Sequence, residues 1–212
     1  MNYKVIILDF DGVLVESTDI KDRAFEDIFK DFPEFKGQID CYWRDHPGLI
    51  RFKKFRHVYE QILKKPYTDI IEGRLAKQFS SFVIGRVMEC PQVAGAEDFL
   101  NFFYRKVPLY IVSVNPLDDL NAILTGRQWS HYFKKVYAVS EGKAPSIHEI
   151  VKTENIATRE AVFIGDSLSD LKDAQDVQVP FIGRERKDTF KGRAVRTVKN
   201  LVEALRDIKG EL

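Results

Sequence analysis

Val5-Ile6-Ile7-Leu8-Asp9-Phe10-Asp11-Gly12 opens on an unbroken apolar run and ends abruptly in two acids and a glycine. A strand with one wet face alternates apolar and polar residues. A continuous run suits a strand buried on both faces of a parallel sheet. Comparable runs recur at Leu109-Tyr110-Ile111-Val112, Val136-Tyr137-Ala138-Val139, Ala161-Val162-Phe163-Ile164 and Val177-Gln178-Val179-Pro180-Phe181-Ile182. Helical patterns lie among and after these, roughly over Leu117–Gln128, Ser146–Thr153, Ser169–Ala174 and Arg196–Ile208, with Lys209-Gly210 as a stop. Strands alternating with helices predict an α/β fold, a parallel sheet covered on both faces.

Residues 18–89 break that rhythm. They hold no convincing strand, and Asp22–Phe32, Leu49–Leu63 and Ile70–Ile84 read as amphipathic helices. In the middle one Phe52, Phe55, Val58, Tyr59 and Ile62 recur at helical spacing, a stripe that suits packing better than ligand binding. The interval is far longer than the ~2–6 residues of an ordinary strand-to-helix connection. It is expected to be a helical cap (18–89) inserted into a core made of residues 1–17 and 90–212.

The composition excludes several classes. With 212 residues, 44% hydrophobic and 31% charged, the chain is globular rather than disordered or fibrous. The 33 basic and 32 acidic residues leave a net charge of +1, without the basic excess of a nucleic-acid binder. No apolar run approaches the ~18 residues of a membrane span. Cys41 and Cys90 cannot make a disulfide framework and suit a reducing compartment, so a cytoplasmic location is expected.

The acids sit where chemistry is expected. Open α/β sheets bind ligands at the C-terminal ends of their strands. Asp9 and Asp11 follow the first strand, and Gly12 allows a turn and close approach of backbone N–H groups to an anion. A plain Asp-Gly turn is the alternative. The arrangement is repeated after Ile164, in Gly165-Asp166-Ser167-Leu168-Ser169-Asp170, where helix capping by Ser167 or Ser169 is compatible with a site. Converging carboxylates repel, and Mg²⁺, which takes oxygen ligands, is the economical compensation. Ser113 and Asn115, after the Leu109–Val112 strand, could hold a phosphoryl oxygen. Lys143 could neutralise developing phosphate charge. Gly183-Arg184-Glu185-Arg186-Lys187 reads as a solvated, charged loop, with Arg184 reaching an acidic substrate as the alternative.

These segments resemble the four motifs of the haloacid dehalogenase-like hydrolase superfamily. Asp9-Phe10-Asp11-Gly12-Val13-Leu14-Val15-Glu16-Ser17 is similar to the first, Ser113 stands at the second, Lys143 at the third, and Gly165–Asp170 resembles the acidic fourth. The resemblance implies a Rossmann-like core with a small helical cap, and phosphate-ester chemistry. Asp9 would be the nucleophile and Asp11 the general acid/base. Ser113 and Lys143 would hold the transferring group. Asp9, Asp166 and the Asp11 carbonyl would bind Mg²⁺, with Asp170 in support. Members that act on haloacids lack the second acid, so its presence disfavours dehalogenation. His46-Pro47-Gly48-Leu49-Ile50-Arg51 is similar to a Gly-x-Ser-Arg segment in the caps of the phosphoglycolate phosphatase-like and sugar-phosphate branches, which makes Arg51 and His46 candidate substrate contacts; Ile50 replaces the usual Ser. The implied activity is a Mg²⁺-dependent phosphomonoesterase that acts on a small phosphate ester through an aspartyl-phosphate. A phosphomutase of the β-phosphoglucomutase type is the alternative.

Overall fold

The computed structural model describes residues 3–46 and 48–210, so Pro47 of the expected cap segment lies outside the described residues. Six parallel strands form one sheet in the order β3-β2-β1-β4-β5-β6. They are β1 (Val5–Leu8), β2 (Leu109–Ser113), β3 (Lys135–Ala138), β4 (Ala161–Gly165), β5 (Phe181–Arg184) and β6 (Arg196–Val198). Every residue of β1, β2 and β4 is buried, as their unbroken apolar runs require. The register pairs Ile6 with Leu109 on one side and with Val162 on the other. β1 therefore lies at the centre, where the strand order reverses, and its C-terminal end faces the crevice that such sheets use for ligands.

Between β1 and β2 run α1 (Thr18–Ile28), α2 (Lys36–Asp45), α3 (Arg51–His57), α4 (Asp69–Glu89) and α5 (Ala96–Phe103). Among the described residues, none of the six strands falls within 18–89. α3 continues into a π-helical turn, Val58–Ile62, so the single helix expected over Leu49–Leu63 starts later and changes pitch. The expected aromatic stripe packs inward. Phe55 is fully buried, with ring centroids 6.0 Å from Phe25 and 5.9 Å from Phe79. These rings join one apolar cluster with Ile6, Leu8, Phe99 and Leu109.

After β2 come α6 (Leu117–Gly126), α7 (Ala144–Thr153), α8 (Leu168–Asp176) and α9 (Leu201–Lys209), interleaved with the remaining strands. Two expectations are corrected. Val177–Pro180 is not strand. Gln178 takes a left-handed φ of 56°, and the segment turns out of α8 so that pairing starts at Phe181. Arg196–Val198 is not the start of the last helix but the edge strand β6. α9 begins at Leu201, after Asn200 caps it by accepting from Glu203 N–H at 3.1 Å.

Candidate active site

The turn after β1 sets two carboxylates in different surroundings. Asp9 is buried, accepts from Phe10 N–H at 2.6 Å and pairs with Lys143 Nζ at 2.8 Å. Burial pushes its carboxyl from 3.8 up to about 7; Lys143 pulls the other way, while Asp170 and Asp11 add to the rise. Asp11 has a separate set of partners. Its Oδ1 accepts from Ser17 Oγ at 2.5 Å, its Oδ2 from Asn115 Nδ2 at 2.6 Å, and Lys21 pairs with it. Burial opposes ionisation of Asp11, but Lys21 and the donors from Ser17 and Asn115 outweigh it and hold its carboxyl below the ordinary value. The turn itself depends on Gly12, whose φ is +70°; a Cβ there would lie 1.9 Å from Asp166 Oδ2.

The other strand ends converge on the same crevice. Ser167 and Asp170 form a reciprocal cap at the start of α8. Asp170 N–H donates to Ser167 Oγ at 3.2 Å, and Ser167 N–H to Asp170 Oδ2 at 3.2 Å. That cap fixes Asp170 so that its Oδ1 lies 2.7 Å from Lys143 Nζ, an ion pair outside hydrogen-bond alignment. Lys143 thus bridges Asp9 and Asp170. Burial opposes its charge, but the two carboxylates overcome this and raise it above the ordinary lysine value. Its own loop is anchored to α8, since Lys143 N–H donates to Asp173 Oδ2 at 2.8 Å.

One oxygen each from Asp9, Asp166 and Asp170 lies within 4.8 Å of the others. Burial, and then Asp9 and Asp170, push Asp166 well above its ordinary value, with Lys143 and Arg186 opposing. Asp9 and Asp170 are buried and share the Lys143 ammonium, while the half-buried Asp166 has no ion pair with it, so the cluster is short of positive charge. An all-oxygen donor set of this kind fits a hard cation such as Mg²⁺. Asp9, Lys143 and Asp166 open onto a cavity of about 630 Å³ that the helices of 18–89 roof with Trp43, Lys54 and Phe79. That size suits a small molecule.

Residues 6–184 match the family model of the haloacid dehalogenase-like hydrolases. The chain belongs to that family. No curated protein matches it. Among solved structures it is similar to YfnB of Bacillus subtilis in a magnesium-bound form, with 16% identity, a TM-score of 0.74, and coverage of 99% of this chain and 100% of that one. A predicted phosphoglycolate phosphatase from Haemophilus somnus 129pt gives 16% identity and a TM-score of 0.75 over 98% of both chains. CbbY of Rhodobacter sphaeroides, in complex with xylulose-(1,5)bisphosphate, gives 16% and 0.73 over 95% of this chain and 96% of that one. At these identities the likeness is one of fold.

In this haloacid dehalogenase-like chain, the structure brings Asp9, Asp11, Asn115, Lys143, Asp166 and Asp170 to the cavity wall. Ser113 is fully buried at the end of β2, and its Oγ accepts from Asn115 N–H at 3.3 Å. Arg51 reaches the cavity but is already engaged. Its Nη1 donates to Asp119 Oδ2 at 2.6 Å and its Nη2 to Ser80 Oγ at 2.9 Å. His46 is exposed, hydrogen-bonded to the Tyr42 carbonyl at 2.9 Å, and is not among the residues lining the cavity. The solvated-loop reading of 183–187 is corrected. Arg184 is the buried end of β5 and donates to Gly12 O at 3.2 Å and to Glu16 Oε1 at 2.5 Å, while Arg186 and Lys187 line the cavity.

Sequence reasoning missed Lys21 and Lys54. Lys21 lies one helical turn beyond Ser17, and its backbone N–H donates to Ser17 O at 3.2 Å. A lysine one turn into the helix that follows the first acidic motif was the available signal. Lys54 stands one turn beyond Arg51, inside the aromatic stripe, and there a charged residue at a core-facing position was the signal.

Proposed function

We propose that this hydrolase is a Mg²⁺-dependent phosphomonoesterase that acts on small phosphorylated metabolites, with the helical segment 18–89 as a cap over a core of residues 1–17 and 90–212. The observation that supports it most is the convergence of Asp9, Asp166 and Asp170 within 4.8 Å of one another beside a small cavity, with Lys143 bridging Asp9 and Asp170. Asp11 keeps a separate set of partners, Ser17, Asn115 and Lys21, so the two acids of the first motif can take different roles. Attack needs Asp9 ionised, which Lys143 and a cation held beside it would favour.

In this reading Asp9 attacks phosphorus in line and takes the phosphoryl group as an aspartyl-phosphate. Asp11, once protonated, gives its proton to the leaving oxygen; ionised again, it takes a proton from the water that hydrolyses the acyl-phosphate. Lys21 opposes the protonated form, so a substrate phosphate that draws Lys21 away readies Asp11 as the acid. Lys143 stays beside Asp9 and offsets charge on the phosphoryl oxygens; Asn115 lines the wall that receives them, and Ser113, buried behind it, accepts from the Asn115 N–H. Bound by Asp9, Asp166, Asp170 and the Asp11 carbonyl, Mg²⁺ would supply further neutralisation of phosphoryl charge. The cap keeps bulk water from the acyl-phosphate and selects the leaving group. The cavity's size and CbbY's bisphosphate ligand fit a small organic phosphate.

A phosphate-release screen over phosphorylated metabolites with Mg²⁺, run beside Asp9→Asn and beside chelator, tests the reading. Release that needs both Asp9 and Mg²⁺ is expected. Release that survives Asp9→Asn, or conversion of a hexose 1-phosphate to its isomer without release, would overturn it.

A further inference from the structure

The cations around the cavity are unequally engaged. Lys143 bridges Asp9 and Asp170, Lys21 holds Asp11 and Asn115, and Arg51 is committed to Asp119 and Ser80. Lys54 differs from all of these. It is 3% exposed, yet among the described residues no carboxylate comes within ion-pair distance of its Nζ. Its one hydrogen bond is a long one, 3.4 Å to the Trp43 carbonyl. An ammonium carries three donors, so Lys54 has donor capacity left beside an open cavity.

Its position is nevertheless fixed. Nζ lies 3.7 Å over the Trp43 ring. That indole is held by its Nε1–H, which donates to Asp22 Oδ1 at 2.7 Å, and by stacking on Phe25 at 4.1 Å. A ring face attracts a cation but does not replace a counter-anion, and a buried charge without one is costly. Burial, with Lys21 adding to it and Asp22 opposing, brings the Lys54 ammonium down to about 7. A second anion delivered into the cavity would restore the charged form and fill the unused donors.

Resting on the phosphomonoesterase reading above, we propose that Lys54 recognises a second anionic group, a carboxylate or a second phosphate, on the leaving group of the substrate. The reacting phosphate then lies at Asp9 and Lys143, and the far anion lies under the cap at Lys54. Arg51, which sequence resemblance offered for that contact, instead joins the cap to α6 through Asp119. Trp43 and Phe79, which line the cavity, give the intervening carbon skeleton an aromatic wall.

Equilibrium titration of the full-length Asp9→Asn protein with Mg²⁺ tests this without turnover. Matched pairs serve as probes: 3-phosphoglycerate against glycerol 3-phosphate, 6-phosphogluconate against glucose 6-phosphate, and fructose 1,6-bisphosphate against fructose 6-phosphate. The first two pairs report a carboxylate and the third a phosphate. In at least one pair the more acidic member should bind about ten-fold or more tightly, the scale of a desolvated charge contact. Adding Lys54→Met should bring that ratio near one, and Lys54→Arg should keep most of it; Lys54→Gln replaces the Met variant if the latter does not fold. A ratio near one in every pair, or a preference that survives loss of the charge, overturns the proposal. Acid preference through Lys54 in a protein that releases no phosphate from any ester would instead overturn the phosphatase reading and leave the anion contact standing.

Discussion

Replacing Asp9 by Asn should flatten the dependence of stability on pH. Burial carries the Asp9 carboxyl from 3.8 up to about 7 in the folded protein. A group raised in this way keeps a proton that the unfolded chain has already released. The stabilisation is therefore complete below the unfolded value and is lost as pH rises through about 7. About three units at ~1.4 kcal/mol each is on the order of 4 kcal/mol. For a chain of this length that corresponds to roughly 10 °C in Tm. The assay is thermal unfolding from about pH 4.5 to 7.5 in chelator. Wild-type Tm should fall with rising pH relative to Asp9→Asn, by up to that amount. Mg²⁺ needs the deprotonated carboxylates, so it should raise wild-type Tm more at the upper end of this range than at the lower. Parallel curves for the two proteins in chelator, or an equal effect of Mg²⁺ at every pH, would refute the account of Asp9 as a buried, undercompensated acid in a metal cluster.

Asp11→Asn should slow formation of the aspartyl-phosphate from alkyl phosphates by ~10²–10⁴-fold, but much less from p-nitrophenyl phosphate, whose leaving group departs without a proton. Equal losses on both substrates, measured as the pre-steady-state rate of leaving-group release, would remove Asp11 from the acid role. Lys143→Met leaves Asp9 and Asp170 buried without their shared cation. Breaking a buried pair this way costs ~3–5 kcal/mol, to be read as a lower midpoint in denaturant at neutral pH, with the loss shrinking as the acids protonate at lower pH. Asp119→Ala strips Arg51 of its carboxylate and should speed amide exchange in α3 and the middle of α4, where Ser80 shares the same contact. Unchanged exchange there would mean that the pair does not hold α3 and α4 to α6.

The central strands were legible because burial on both faces forces continuous apolar runs, as in Val5–Leu8 and Ala161–Ile164. The edge was not. Arg196-Thr197-Val198 is only three residues long with two exposed, so it carries no strand pattern and was absorbed into the following helix. Val177–Pro180 misled in the other direction, since Val179 is buried as the chain leaves α8 rather than as part of a strand. α5 buries Ala96, Phe99, Leu100 and Phe103 at clear helical spacing, a signal that was present but obscured by the long insertion before it. Asp9 and Asp166 at strand ends, and Lys143 in the loop before α7, could be placed from order along the chain. Lys21 and Lys54 carried a positional signal but, like Arg186, could not be assigned a role, because what distinguishes them is which partners the tertiary structure supplies or withholds.

The most direct test of the central claim is a search for phosphate on Asp9. Asp11→Asn is mixed with p-nitrophenyl phosphate and Mg²⁺, quenched in acid during turnover, digested and mapped by mass spectrometry. Because the base for the second step is missing, a phosphoryl group should accumulate on the peptide that carries Asp9, with a matching burst of nitrophenolate. Neither should occur in Asp9→Asn. Steady turnover without a burst and without phosphate on that peptide, or a burst that persists in Asp9→Asn, would contradict a covalent mechanism through Asp9.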